Sequence, residues 1–349
     1  MTGAWSTKEK IGLACVALAL IALPFVLAMA GTAWVRITNF AVLFILLSLG
    51  LNIVVGFAGL LDLGYVAFFA VGAYVYALLA SPHFGLHLPF WLILPIGAAV
   101  AGLAGAVLGA PTLRLRGDYL AIVTLGFGEI VRIFMNNLSA PVNITNGPKG
   151  INLIDPFRIG DFSFSANSGV LSGPIKYYYF LLLVLLAVIV INRRLQDSRI
   201  GRAWVAIRED EIAAKAAGIN TRNIKLLAFA MGASFGGIAG GIFAAIQGFV
   251  SPESFILNES IMILAMVVLG GMGNIWGVIA GAVLLSFMPE LLRYTVEPAQ
   301  KALFGRMLVD PEVLRMLIFG LALVLTMRFR PAGLWPETRH RRELDADRK

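Results

Sequence analysis

Ten separate stretches of about twenty apolar residues run through this chain, and no water-soluble fold accommodates so many. The hydrocarbon core of a bilayer is ~30 Å thick, so at ~1.5 Å per residue a crossing helix needs about 20 apolar residues. The spacing predicts helices over 11–30, 38–60, 64–81, 89–110, 119–136, 177–193, 225–247, 257–270, 274–291 and 312–328. Composition agrees: 59% of the 349 residues are hydrophobic and only 14% charged, against about 25% charged in an ordinary soluble domain. A single cysteine, Cys15, excludes an internal disulfide framework. The expected fold class is all-α, a polytopic transmembrane helical bundle of about ten spans with one or two broken or re-entrant helices. The short eighth stretch joins the ninth through Gly270-Gly271-Met272-Gly273-Asn274, which makes that pair a candidate for the broken element.

A net charge of +8 would suggest nucleic acid in a soluble chain. Here Lys and Arg fall between the apolar stretches, where they report orientation instead. With the N-terminus inside, the inner segments hold 19 basic residues and the outer ones 7, while Arg132 and Arg315 lie within spans. That polarity predicts that both termini are cytoplasmic, with no nucleic-acid partner. Lys8 and Lys10 precede an apolar run ending Ala28-Met29-Ala30, which also fits a signal peptide. The run exceeds the 7–15 residues of a typical signal core, so a retained first helix is the expectation. The organisation read from the sequence is an N-terminal segment 1–37, a membrane-spanning body 38–335 and a charged cytoplasmic tail 336–349.

Two connections exceed simple turns. The outer one, 137–176, is rich in Asn, Pro, Gly and Ser and offers turn chemistry rather than a core. The inner one, 194–224, holds the densest positive charge and a short helix: Asp210 is placed to cap 211–217, and Gly218 to terminate it in left-handed geometry. About two turns of helix are marginal in water, so this element needs a surface. That surface is either the membrane interface, with Trp204, Ile207 and Ile212 dipping in, or a cytoplasmic partner.

Inside the spans, glycines recur four apart: Gly105/Gly109, Gly232/Gly236/Gly240, Gly237/Gly241 and Gly277/Gly281. Such stripes let helix backbones approach closely in lipid. The stretch from Gly50 to Gly72 differs, because Asn52 and Asp62 are embedded in it. Glycines and a carboxylate at membrane depth suggest a helix that breaks where it lines a cavity; an ordinary turn with Asp62 at the surface is the alternative. On the first reading Asn52, Gly56, Gly59, Asp62 and Gly64 line a substrate pathway. Glu129 and Arg132, at i and i+3, are read as an intramembrane ion pair near the outer end, with substrate or ion recognition as the alternative, and Asp118 is read as the N-cap of their helix.

Catalytic chemistry is missing from the sequence. Gly232-Ala233-Ser234-Phe235-Gly236 matches the nucleophile-elbow spacing, but it lies in an apolar helix rather than after a strand. His83, His87 and His340 are scattered, which offers no metal cluster. No GxxxxGK[ST] occurs, so uphill transport needs an ion gradient or another subunit. Neither an enzyme nor a resident cofactor is expected.

One family is recognisable. The run Leu115-Arg116-Gly117-Asp118-Tyr119-Leu120-Ala121-Ile122-Val123-Thr124-Leu125-Gly126-Phe127-Gly128-Glu129-Ile130-Val131-Arg132, followed by Thr145-Asn146-Gly147-Pro148-Lys149-Gly150-Ile151, resembles the LivM-type permease of bacterial branched-chain amino acid ABC importers. Gly50-Leu51-Asn52, Gly56-Phe57-Ala58-Gly59, Ala67 to Tyr74 and Leu269 to Gly277 are similar as well, so the resemblance covers roughly 40–335. It implies import of leucine, isoleucine and valine by this chain with a second permease, two ATPase subunits and a periplasmic binding protein that docks on the outer face. Importers of this kind carry a coupling helix with Glu-Ala-Ala, three residues and Gly. Ala213, Ala214 and Gly218 match, while Ile212 holds the acid's place and Glu211 comes one position early. The resemblance therefore implies that 200–218 sits in a groove of an ATPase. An ion-coupled secondary transporter using Asp62 or Glu129, and a related urea or amide permease, are the alternatives.

Overall fold

The computed structural model describes residues 7–112, 115, 117–140, 142–160, 162–166, 172–304, 310–330 and 333–335. The predicted tail 336–349, Arg114 and Arg116 lie outside these. The described chain is helical, with α1 (Thr7–Ala30), α2 (Thr32–Asn52), α3 (Val66–Leu79), α4 (Phe90–Thr112), α5 (Asp118–Asn137), α6 (Gly173–Asp197), α7 (Arg199–Glu209), α8 (Glu211–Ala216), α9 (Thr221–Gln247), α10 (Leu257–Gly270), α11 (Ile275–Phe304) and α12 (Pro311–Phe329). Each of the ten predicted apolar stretches coincides with one of them, and α7 and α8 fill the inner connection. Among the described residues six helical segments are long and apolar enough to cross a membrane: Thr32–Phe57, Phe90–Pro111, Gly173–Asp197, Thr221–Gln247, Pro252–Gly270 (α10 with the turn before it) and Ile275–Val296. α3 and α10 have 14 residues each, about 21 Å of helix, or two-thirds of a bilayer core.

α9 is the axis, packed against α2, α3 and α4, while α10 and α11 form a hairpin against α2. Glycine makes this density possible. A Cβ on Gly72 of α3 would overlap the Gly237 backbone of α9, and one on Gly237 would stand 2.7 Å from the carbonyl oxygen of Gly97 in α4. Three backbones thus meet where no side chain fits. The same reason holds for Gly105, whose Cβ would lie 2.6 Å from that of Ala233.

α1 is joined to the bundle through its proline. Pro24 has no N–H, so the carbonyl of Leu20, four residues earlier, loses its helical donor. Tyr178 of α6 supplies one, its hydroxyl donating to that oxygen at 2.9 Å, and Tyr179 donates to the carbonyl of Ile21 at 2.7 Å. In lipid a freed carbonyl needs such a partner.

The outer connection differs from its sequence reading, because it has a core. Phe157 is fully buried and stacks on Phe90 at 4.4 Å between centroids, with Tyr177 and Phe180 around it. Ile151–Asn152 pairs antiparallel with Phe249–Val250. Lys176 is buried and donates to the carbonyls of Ser163 and Ala166. Aromatic residues scattered through a turn-rich segment gave no periodic signal.

Candidate functional site

The break predicted after Gly50 is present. Beyond Asn52 the helix widens into a π turn over Ile53–Phe57, residues 58–65 are non-helical, and α3 begins at Val66. Gly59, at φ +68, makes the turn and is pressed against the stem of Arg208. Asn52 is buried, and its Oδ1 accepts the N–H of Gly273 at 2.9 Å. The end of α2 is therefore fastened to the α10–α11 hairpin. Gly56 lies between them, because a Cβ there would come 2.6 Å from that same nitrogen.

Asp62 is buried rather than at the surface, and its Oδ1 accepts the N–H of Gly64 at 2.9 Å. The Leu63 N–H donates to Thr124 Oγ1 of α5 at 3.0 Å, and Gly64 abuts the Thr124 backbone. The Val66 N–H donates to Ser260 Oγ at 3.0 Å, which brings the first turns of the two half-length helices together. Asn52, Gly56, Gly59, Asp62 and Gly64 thus gather at one break, where Oδ1 of Asn52 and Oδ1 of Asp62 bond inward and help fix its shape, while Asn52 Nδ2 and Asp62 Oδ2 are buried without a hydrogen-bond partner among the described residues. Leu63 and Val66 form its accessible wall.

On α5, Arg132 donates to Glu129 through Nη2 at 2.5 Å and through Nε at 3.0 Å. Its Nη1 also reaches Glu253 Oε1 at 3.1 Å. Glu253 stands 121 positions away in a turn before α10, and nothing in the sequence marked it. Beside Glu129 lies a cleft of about 140 Å³ lined also by Leu63, Val66, Leu125, Gly128, Phe255 and Leu257. Asp118 is the first helical residue of α5 and not its cap, which is Gly117; its charge there still favours the positive helix end.

The cytoplasmic elbow is bounded as its residue types dictate. Asp210 Oδ1 accepts from the N–H groups of Ile212 and Ala213 at 2.7 and 3.0 Å. Gly218, at φ +85, closes the end, with its N–H on the Lys215 carbonyl and that of Ile219 on the Ala214 carbonyl, a Schellman pattern. Lys225 holds Glu211 at 2.6 Å. Ala214 packs inward, whereas Ile212 is 70% exposed and Ala213, Lys215, Ala216 and Ala217 are exposed beside it. Trp204 and Ile207, which the membrane-interface alternative would dip into lipid, are buried within the protein, and the Trp204 indole donates to the Ile224 carbonyl at 2.8 Å. Arg208 donates to the Gly56 carbonyl at 2.5 Å, linking α7 to the break. No sequence pattern marks this contact across 152 positions.

Ser234, in the elbow-like spacing, donates to the Ala230 carbonyl inside α9. Among the described residues no group of three or more His, Cys, Asp or Glu is placed to hold a metal.

The family model described as branched-chain amino acid transport system / permease component matches residues 33–327. The chain belongs to this permease family. It is 46% identical over 351 residues to the high-affinity branched-chain amino acid transport system permease protein LivM of Escherichia coli, covering 96% of this chain and 76% of the relative. A probable LivM permease of Methanocaldococcus jannaschii is 26% identical over 70% of this chain and 69% of its own length. The permease protein LivH of Escherichia coli is 24% identical over 70% of this chain and 80% of its own length. No solved structure matches the chain.

Proposed function

We propose that this chain is the membrane-embedded permease subunit of an ABC importer of leucine, isoleucine and valine. The observation that carries this reading is its 46% identity to LivM along almost its whole length. The ten apolar helices cross or enter the membrane, with α3 and α10 as half-length elements whose first turns meet inside it. The 19-to-7 distribution of basic residues supports cytoplasmic termini. A LivH-like second permease completes the pair, which the likeness to LivH supports.

ATP is hydrolysed on two separate ATPase subunits. The exposed face of α8, with Ile212 and Ala213, is the docking surface that supports this arrangement. A groove accepts such a helix because small side chains allow close approach and Ile212 supplies apolar area. Motion at α8 passes to α7 across the Asp210 cap and reaches the break through Arg208 and Gly56. The outer connection, stiffened by its aromatic core, receives the periplasmic binding protein.

Leucine uptake into proteoliposomes with the full transporter, ATP at the cytoplasmic face and an uncoupler in half the samples, tests the reading. Uptake that requires ATP and ignores the uncoupler is expected. Uptake without ATP that the uncoupler abolishes would replace it with an ion-coupled transporter.

A further inference from the structure

The Arg132 cluster holds two carboxylates and one guanidinium, which leaves one negative charge in surplus. The side chains of Glu129, Arg132 and Glu253 are 42%, 23% and 63% exposed. Charges so exposed would be costly against lipid, and such groups face water or protein. The edge of α5 that bears them therefore looks onto an aqueous path or a second permease, not onto acyl chains. Glu129 also borders the cleft whose other walls are Leu63, Val66, Leu125, Phe255 and Leu257. Four of these five are aliphatic and the fifth is aromatic, so the cleft has one anionic end and an apolar body. Leu257 opens α10, whose N-cap residue Ile256 supplies no side-chain cap and whose first turn also carries Glu259. The helix's positive end faces the same space.

We infer that this cleft is a substrate subsite on the translocation path for an apolar amino acid. The ammonium sits at Glu129 and the aliphatic side chain lies against Leu63, Val66 and Leu125. The carboxylate points to the start of α10. Arg132 holds Glu129 in place and, through Glu253, ties α5 to the turn before α10. The inference rests on the transport reading above and names where along the chain the solute is held.

The test uses the complete transporter in proteoliposomes. Glu129→Gln should lower leucine uptake per assembled transporter at least tenfold, and Glu129→Asp should recover part of it. A purely structural ion pair would lower the amount assembled but not uptake per complex. Wild-type uptake by the Gln variant would overturn the inference. A second measurement does not depend on that variant folding. With Cys15→Ser as background, Leu125→Cys is treated with a membrane-impermeant thiol reagent. Reaction from water, slowed at least fivefold by leucine with binding protein but not by lysine, is the expected result. A thiol shielded with and without leucine, or equally reactive in both, would overturn the cleft while leaving wild-type leucine uptake intact. Absence of uptake by the wild-type transporter would instead overturn the transport reading.

Discussion

Substituting alanine for Gly72 isolates the one contact on which the central packing depends. The added carbon would overlap the backbone of Gly237 and approach its carbonyl carbon to 2.6 Å, where carbon atoms normally stand about 3.5–4.0 Å apart. α3 and α9 must separate by about 1 Å, since backbone has no alternative rotamer to adopt. Overpacking of this kind costs about 1–3 kcal/mol, and a backbone-to-backbone clash belongs at ~3. Alanine recovers about 1 kcal/mol of helix propensity over glycine, leaving a net loss of roughly 2 kcal/mol. The control is Gly126→Ala in α5, where a Cβ meets nothing within 4 Å among the described residues. That change should stabilise by up to about 1 kcal/mol. Thermal unfolding of the isolated chain in detergent reads both. At about 2–4 °C per kcal/mol for proteins approaching this size, Gly72→Ala should melt several degrees lower. A melting point unchanged by Gly72→Ala, or lowered as much by Gly126→Ala, would refute the close-approach argument.

Three further outcomes follow from contacts at the periphery. Tyr178→Phe should destabilise by about 1 kcal/mol, and less in a Pro24→Ala background, where the Leu20 carbonyl regains its helical donor; a double-mutant cycle by thermal unfolding shows the coupling. Gly218→Trp should abolish co-purification of the ATPase subunits with an inserted, folded chain, because its φ of +85 strains any side chain and the bulk lies beside the exposed face of α8. Arg208→Ala should leave ATP hydrolysis in place but lower leucine uptake per ATP several-fold, measured by parallel phosphate release and uptake; unchanged stoichiometry would remove the Arg208–Gly56 link from the coupling route.

Helix positions were legible because apolar runs of bilayer length allow few alternatives. The cap at Asp210 and the stop at Gly218 were legible because both are local backbone rules. Boundaries failed where a rule was absent: α11 continues to Phe304 past Pro289 and Pro298, well beyond the predicted 291. Contacts between distant segments were invisible. No periodicity joins Arg132 to Glu253, Asn52 to Gly273 or Arg208 to Gly56, and each is set by how helices cross. The alternative that put Trp204 in the membrane interface failed for a related reason, since an amphipathic pattern shows that an apolar face exists but not whether lipid or protein covers it. The break at 50–64 was half legible. Its glycines and buried polar residues marked an irregular stretch, but only the fold revealed that Leu63 and Val66, rather than Asn52 and Asp62, form the accessible wall.

The shortness of α3 also bears on how the chain enters the membrane during synthesis. Its 14 residues are below the about 17–25 that a membrane recognises as a span, so it is not held there by its own hydrophobicity. α3 lies mainly against α9, and its first turn is tied to Ser260 of α10, both of which leave the ribosome long after it. Until then its opening amides lack their final partners, and an unsatisfied backbone group in hydrocarbon is expensive. α3 must therefore take its place late, together with α9 and α10, so the order of integration departs from the order of translation.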